Sequence, residues 1–249
     1  MEQGHEFLAR LGKTKLRPGG MEGTGWILDQ AELTPEKKVL EVGCNMGVNL
    51  IKLAQTYHCN MEGVDRFEPA LDKARKAIQE HALDAKIHVQ KADARKLPFE
   101  DESFDIVINE AMLTMLATNS KVACLKEYFR VLKPGGMLLT HDVCMDDHKS
   151  EHLRELREIL KISVHPLDEK KWTALYEEAG FSEPKRKVGK LIFLRPKGLI
   201  RDEGLFGFLK IMLNGLKKKN FARFKSMRKF FRKHQDGFHY IVMAGKKPE

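Results

Sequence analysis

The sequence predicts an α/β fold, a doubly wound and mostly parallel sheet of about seven strands with helices on both faces. Two observations carry that expectation. Short apolar runs alternate with helix-period segments from residue 38 to residue 143, a pattern that calls for parallel strands joined by right-handed crossovers. The first run, Lys38-Val-Leu-Glu-Val-Gly-Cys-Asn-Met-Gly47, leads a buried strand straight into a glycine-cornered turn. Behind it Leu50, Ile51, Leu53 and Ala54 recur at helical spacing.

The elements follow in order. Residues 2–12 and 21–32 carry helical patterns separated by Leu16-Arg-Pro-Gly-Gly20. Then come strand 38–43, helix 47–57, strand 60–65, helix 68–81, strands 87–91 and 104–109, helix 119–132 and strand 137–143. Helical patterns resume at 150–162 and 168–179, and two closing strands are expected at 185–194 and 237–244. Residues 35–198 and 236–249 form the expected core, with a helical segment, 1–34, before it and an insertion, 199–235, interrupting it.

Composition sets bounds. At 249 residues and 42% hydrophobic content the chain suits one large core with a small appendage, not a disordered or membrane-embedded protein. No uninterrupted apolar run approaches the roughly 20 residues of a spanning helix. Met-Glu-Gln-Gly-His-Glu at the start lacks the basic and apolar character of a secretory signal. Cys44, Cys59, Cys124 and Cys144 show neither close pairing nor metal-ligand spacing, so reduced thiols in a cytoplasmic protein are expected.

A strand, a glycine loop and a helix in succession bring backbone N–H groups to a ligand at a helix N-terminus. Eighteen residues past Gly47 a second apolar run, Met61-Glu-Gly-Val-Asp65, ends in a carboxylate. That is where a ribose diol is gripped in a βαβ nucleotide site. A dinucleotide fingerprint starting at Gly43 would need glycine where Asn45 and Val48 stand, which argues against a nicotinamide enzyme.

Glu41-Val-Gly-Cys-Asn-Met-Gly47 instead resembles the first motif of class I S-adenosylmethionine-dependent methyltransferases, Asp/Glu-x-Gly-x-Gly-x-Gly, with Asn45 at the middle glycine. Asn tolerates unusual backbone angles better than most residues. Further segments follow in the family's order: Val89-Gln-Lys-Ala-Asp93-Ala94, Leu97-Pro-Phe through Phe104-Asp105-Ile-Val-Ile108, Leu125 to Leu132, and Lys133-Pro-Gly-Gly136-Met-Leu-Leu139. Together they span roughly residues 36 to 142.

The resemblance implies a Rossmann-like sheet whose last strand is antiparallel, an N-terminal helical lid, and S-adenosyl-L-methionine as cofactor with S-adenosyl-L-homocysteine as product and no metal. It implies that Gly43, Asn45 and Gly47 approach the methionine and ribose, with Cys44 a small packing residue of the same loop. Asp65, next to Arg66, takes the ribose hydroxyls. Asp93 and Ala94, followed by Arg95, flank the adenine, and Asn109 lies beside the methionine part. Arg17, in the loop opening the second helix, is a candidate to pair with the methionine carboxylate, with Thr24 and Trp26 as candidates to line the same pocket; the alternative is a simple helix-start turn.

Transfer from a sulfonium is an in-line displacement, so positioning rather than a covalent nucleophile is required. If the acceptor must lose a proton, Glu110, His141 and Asp142 at the strand ends are the candidate bases. The alternatives are a hydrogen-bonded structural His and carboxylates that cap the next helix. The pattern is closest to the small-molecule group, similar to quinone-type C-methyltransferases and to those of small amines and lipids. Ile108-Asn-Glu-Ala-Met112 stands where nucleobase-directed aminomethyltransferases carry their clamp. The rival is a non-catalytic S-adenosylmethionine-binding protein.

Leu199 to Gln235 is too long for a hairpin. Its first half is apolar, with Leu205, Phe206, Phe208, Leu209, Met212, Leu213 and Leu216, and is expected to pack over the substrate pocket. Its second half holds nine cations between Lys217 and Lys233 with no acid among them, beside an apolar stripe of Phe221, Phe224, Met227 and Phe231. Three readings stay open: a solvated face, a contact with anionic lipid, or a nucleic-acid patch.

Overall fold

The computed structural model describes residues 2, 4–14, 17–146, 152–191, 194–234 and 236–249. Residue 3 of the first expected helix, Lys15 and Leu16 of the first loop, residues 150–151, residues 192–193 and Gln235 lie outside the described residues.

Two helices, α1 (Gly4–Leu11) and α2 (Gly20–Gln30), precede β1 (Lys38–Val42), α3 (Val48–Tyr57), β2 (Asn60–Asp65), α4 (Glu68–Glu80) and β3 (Ile87–Lys91). There follow β4 (Phe104–Glu110), α5 (Thr118–Val131), β5 (Leu132–Met145), α6 (His152–Leu160), α7 (Glu169–Glu178), β6 (Ser182–Lys190), α8 (Pro196–Leu216), α9 (Lys218–Lys233) and β7 (Phe238–Lys246). The strands form one sheet in the order β3-β2-β1-β4-β5-β7-β6. The first five are parallel, and β7 runs antiparallel between β5 and β6.

Because the central strands are covered on both faces, they read as continuous apolar runs. One face buries Leu40, Val42, Val107 and Leu138 against Leu125 and Tyr128 of α5 and Trp172 and Tyr176 of α7. The other buries Val39, Ile106 and Ile108 against Leu50, Ile51 and Leu53 of α3 and Leu71 and Ile78 of α4. Each fully buried aliphatic side chain contributes about 1.5–3 kcal/mol.

Three features stand out against the sequence expectation. β5 starts at Leu132 rather than 137, because the Lys133–Gly136 turn stays in the sheet as an irregularity between the Phe104 and Ile106 registers. There Gly135 (φ 74°) donates its N–H to the Lys247 carbonyl at 3.0 Å. β6 lies earlier than 185–194, at Ser182–Lys190, since its register is set by pairing with β7, Ser182 opposite Lys246 and Lys190 opposite His239. The insertion, expected only as helical, is two helices: α8 begins at Pro196 and breaks at Gly204 (φ 73°, ψ 173°), and α9 starts anew after Lys217.

The insertion also packs differently from the expected cover over the substrate pocket. Leu199 and Ile211 of α8 and Phe224 and Met227 of α9 form a separate core with Phe7, Leu8 and Leu11 of α1. Leu205, Phe206, Leu209, Leu213 and Leu216 face solvent instead. In α9, Phe230 is buried and Phe221 is exposed, so the stripe is rotated by part of a turn from the expected one.

Candidate functional site

The β1–α3 loop needs left-handed backbone three times in five residues. Gly43 (φ 77°), Asn45 (φ 50°) and Gly47 (φ 71°) supply it, and Asn is among the few non-glycine types that do so readily. The Gly43 and Cys44 amides donate to the Val64 carbonyl at 2.8 and 3.1 Å, tying the loop to the end of β2. Asp65 fixes the rest, its Oδ2 accepting from the Asn45 amide and its Oδ1 from the Phe67 amide, both at 2.9 Å. Each oxygen keeps a lone pair for a ligand.

A cleft opens beyond that loop, lined by Val42, Gly43, Val64, Asp65, Arg66, Ala92, Asp93, Ala94, Arg95, Met112 and Leu116. It lies at the carboxyl ends of the strands, where open α/β sheets take ligands. Gly43, Asp65, Arg66, Asp93, Ala94 and Arg95, expected from sequence, are thus brought together. Asp93 is held well below the usual carboxylate range, at about 2, mainly by the Arg95 side chain, whose Nε and Nη2 lie 3.0 and 2.6 Å away. A second cleft, lined by Lys38, Asn60, Glu62 and His88, opens at the other end of these strands and contains none of the expected site residues.

Behind Val42 and Met112, the fully buried Asn109 donates through Nδ2 to the Val42 carbonyl at 2.7 Å. Its Oδ1 is buried without a hydrogen-bond partner among the described residues. Cys44 is buried, and burial pushes its thiol far above the ordinary value, which suits packing and not nucleophilic attack.

Next to this cleft, α2 covers the ends of β4 and β5. The Glu110 side chain is almost wholly covered; its Oε2 pairs with Arg17 Nε at 3.0 Å, while its Oε1 accepts from Thr24 Oγ1 at 2.6 Å and meets His141 Nδ1 at 3.1 Å. Burial raises the Glu110 pKa, but Arg17 and His141 outweigh it and hold the carboxyl below its ordinary value. His141 Nε2 lies 2.8 Å from the Gly19 amide, which can only donate. The proton of a neutral imidazole therefore sits on Nδ1 and points at Glu110. Arg17 further donates to Thr24 Oγ1 at 2.8 Å and to Asn49 Oδ1 at 3.1 Å, and Asn49 Nδ2 donates to Glu41 at 3.0 Å.

Asp142 does not join this group, because neighbouring strand residues face opposite ways. Its Oδ1 accepts from the Thr114 amide and hydroxyl at 2.8 and 2.7 Å on the α5–α7 side of the sheet. Burial raises it to about 7. The three expected bases thus divide: Glu110 and His141 share one polar cluster, and Asp142 belongs to another.

The sequence reading missed Asn49 and Glu41 as parts of the network. The motif shows a carboxylate at Glu41, but nothing local shows that Asn49 of α3 turns back to it. It also missed how closely α2 sits. A Cβ on Gly23 would come within 2.5 Å of His141 Cε1, whereas one on Gly25 would meet nothing within 4 Å. Gly23→Ala is accordingly expected to break the Gly19–His141 contact and lower the melting temperature. Gly25→Ala should leave it equal or slightly raised, since helix propensity adds up to about 1 kcal/mol of stability.

Comparison with known proteins agrees with this fold. A methyltransferase-domain family profile matches residues 33–180, more than half of the chain. An uncharacterized protein of Haemophilus influenzae is 50% identical over 248 residues, 99% of this chain and 98% of that protein. Phosphoethanolamine N-methyltransferase 3 of Arabidopsis thaliana is 32% identical over 128 residues, 51% of this chain but only 25% of the plant protein. The chain thus matches about a quarter of that relative's length. Among solved structures, a Haemonchus contortus phosphoethanolamine N-methyltransferase 2 in complex with S-adenosyl-L-methionine superposes with a TM-score of 0.77 at 18% identity. That superposition covers 98% of this chain and 57% of the other.

Proposed function

The chain belongs to the methyltransferase-domain family of class I S-adenosylmethionine-dependent enzymes, and from that membership we propose that it methylates a small-molecule acceptor by in-line displacement. The single observation that carries the site assignment is the cleft where the left-handed Gly43–Gly47 loop, Asp65 and Asp93 converge. The residues there fit S-adenosylmethionine: Asp65 has lone pairs left for a diol, and behind the cleft the buried Asn109 Oδ1 lacks a hydrogen-bond partner among the described residues. In this reading Asp65 and Arg66 hold the ribose, Asp93, Ala94 and Arg95 border the adenine, and Gly43, Asn45, Gly47 and Asn109 surround the methionine part.

When bound, that cofactor supplies an already activated methyl group. The chain's own task is to orient the acceptor and exclude water. Residues 1–34 act as the lid, with α2 closing over β4 and β5 through Gly19 and Thr24. Glu110, ionised and ion-paired, orients Arg17 and His141 instead of drawing off a proton itself. His141 presents a fixed tautomer whose Nε2 becomes available only if the Gly19 amide withdraws, so any base role for it requires the lid to move. Asp142 acts from the opposite face, as a support for Thr114.

The test is Asp65→Ala. Losing charge-assisted hydrogen bonds to two hydroxyls removes about 1.5–3 kcal/mol, a drop in cofactor affinity of roughly tenfold to a hundredfold. Isothermal calorimetry returning equal affinities for wild type and variant would sink the assignment.

A further inference from the structure

After Gly204, helix α8 is apolar over most of its circumference, Lys210 and Asn214 being its only polar side chains, yet only one side of it is covered. Ile211 is buried against α1 and α9, and Gly215 lies so close to Phe224 that a Cβ would come within 2.4 Å of its ring. The opposite side presents Leu205, Phe206, Leu209, Leu213 and Leu216, with Phe206 87% and Leu213 66% exposed. At 100° per residue these five fall within an arc of about 100°, one continuous stripe. The fold does not need this stripe, since α8 already buries its other face. Exposed apolar side chains grouped in this way mark an interaction surface.

What the stripe meets is indicated by its neighbour. Leu216 is followed at once by Lys217, Lys218 and Lys219 and then by the exposed Phe221, so apolar and cationic groups are joined at one corner of the molecule. Lys225, Lys229, Arg232 and Lys233 continue the exposed face of α9, opposite the buried Phe224, Met227 and Phe230. From Leu205 to His234 the chain holds ten Lys and Arg and no Asp or Glu, which leaves the rest of the chain with one net negative charge. Arg223 turns inward to Glu2 at 3.0 Å and Arg228 is half-buried over Phe224, while the other eight are exposed.

We propose that the α8 stripe and the α9 cations form one surface that docks on an anionic lipid bilayer. The leucines and Phe206 enter the boundary between headgroups and acyl chains, and the lysines meet the lipid phosphates. A nucleic acid would satisfy the cations but leave five large apolar side chains in water. A protein partner would need an apolar groove edged with acids, and neither of the two clefts described above is one. Among the described residues no helix is long and apolar enough to cross a membrane, so the contact is with the bilayer surface. Docking would hold the active-site cover near the bilayer, because Arg201 and Asp202 in the first part of α8 bond the Gly19 carbonyl at 2.9 Å and the Met21 amide at 3.0 Å.

Flotation of the full chain with phosphatidylcholine vesicles, with and without phosphatidylglycerol, tests this. Binding is expected only with phosphatidylglycerol and should weaken as salt rises, since the Debye length falls to about 3 Å at 1 M. Reversing Lys217, Lys218 and Lys219 to Glu should weaken it by at least about a hundredfold. Phe206→Ser with Leu213→Ser, both at exposed positions, should weaken it by about tenfold or more while leaving the melting temperature unchanged. The proposal is overturned if anionic vesicles fail to bind at low salt, or if the serine variant binds them as tightly as wild type. It is equally overturned if light scattering shows a dimer that the serine variant dissociates, or if single-stranded RNA binds more tightly than the vesicles regardless of the serine substitutions.

Discussion

Arg17→Met is expected to lower stability by about 3–5 kcal/mol, because it leaves the buried Glu110 carboxylate without its cation. Only 6% of the Glu110 side chain and 14% of that of Arg17 are exposed, so water compensates little. Thr24 and His141 still touch Glu110, but one donates a neutral hydrogen bond and the other is a neutral ring in the arrangement that Gly19 imposes. The carboxyl should then titrate at a higher pH than in the wild type. Combining Arg17→Met with Glu110→Gln should recover part of the loss, since removing both charges leaves no stranded ion. A melting temperature for Arg17→Met equal to the wild type would show that the pair is solvated in solution.

The second large effect is a loss of stability as pH rises from 4 to 8. Asp142, at 3.8 when unfolded and about 7 when folded, binds its proton more tightly in the native state. Native protein holds more protons than unfolded protein between those values, so stability is fully present below the lower value and lost as pH climbs to the upper one. The loss amounts to about 4 kcal/mol, or roughly 10 °C in melting temperature for a chain of this size. Glu41, raised to about 8 by burial, acts in the same sense and extends the decline. Glu110 and Asp93 act oppositely, but only below their ordinary values of 4.5 and 3.8. Lys121, lowered to about 8 by burial, also opposes it, but only above that pH. Asp142→Asn keeps the oxygen that accepts from Thr114 and removes one of the two titrations, so its melting temperature should fall less between pH 5 and pH 8, the remaining decline being that of Glu41. An equally steep decline in the variant would move the effect to another group.

Which features were legible follows from how far each one reaches along the chain. The parallel core, its order of strands and helices and the Gly43–Gly47 loop rest on local signals: apolar runs of strand length, helical periods and residue types that tolerate left-handed backbone. Those signals act within a few residues, so the sequence alone determined them, and with them the family and the cleft's position at the strand ends. The polar network under α2 depends on contacts between residues 32 to 122 positions apart, Arg17 with Asn49 and Gly19 with His141, and no local pattern encodes these. Strand alternation could have separated His141 from Asp142, but which of the two faces α2 is settled only when β5 takes its place between β4 and β7. The insertion shows the same limit. Its helical periods and its charge were plain, but beyond Gly204 only Lys210 and Asn214 of α8 are polar, so apolar side chains take up most of its circumference and periodicity could not say which part would be buried. Only the docking of α1 and α9 decided that, by covering Ile211 and Gly215 and leaving Leu205, Phe206, Leu209, Leu213 and Leu216 in water.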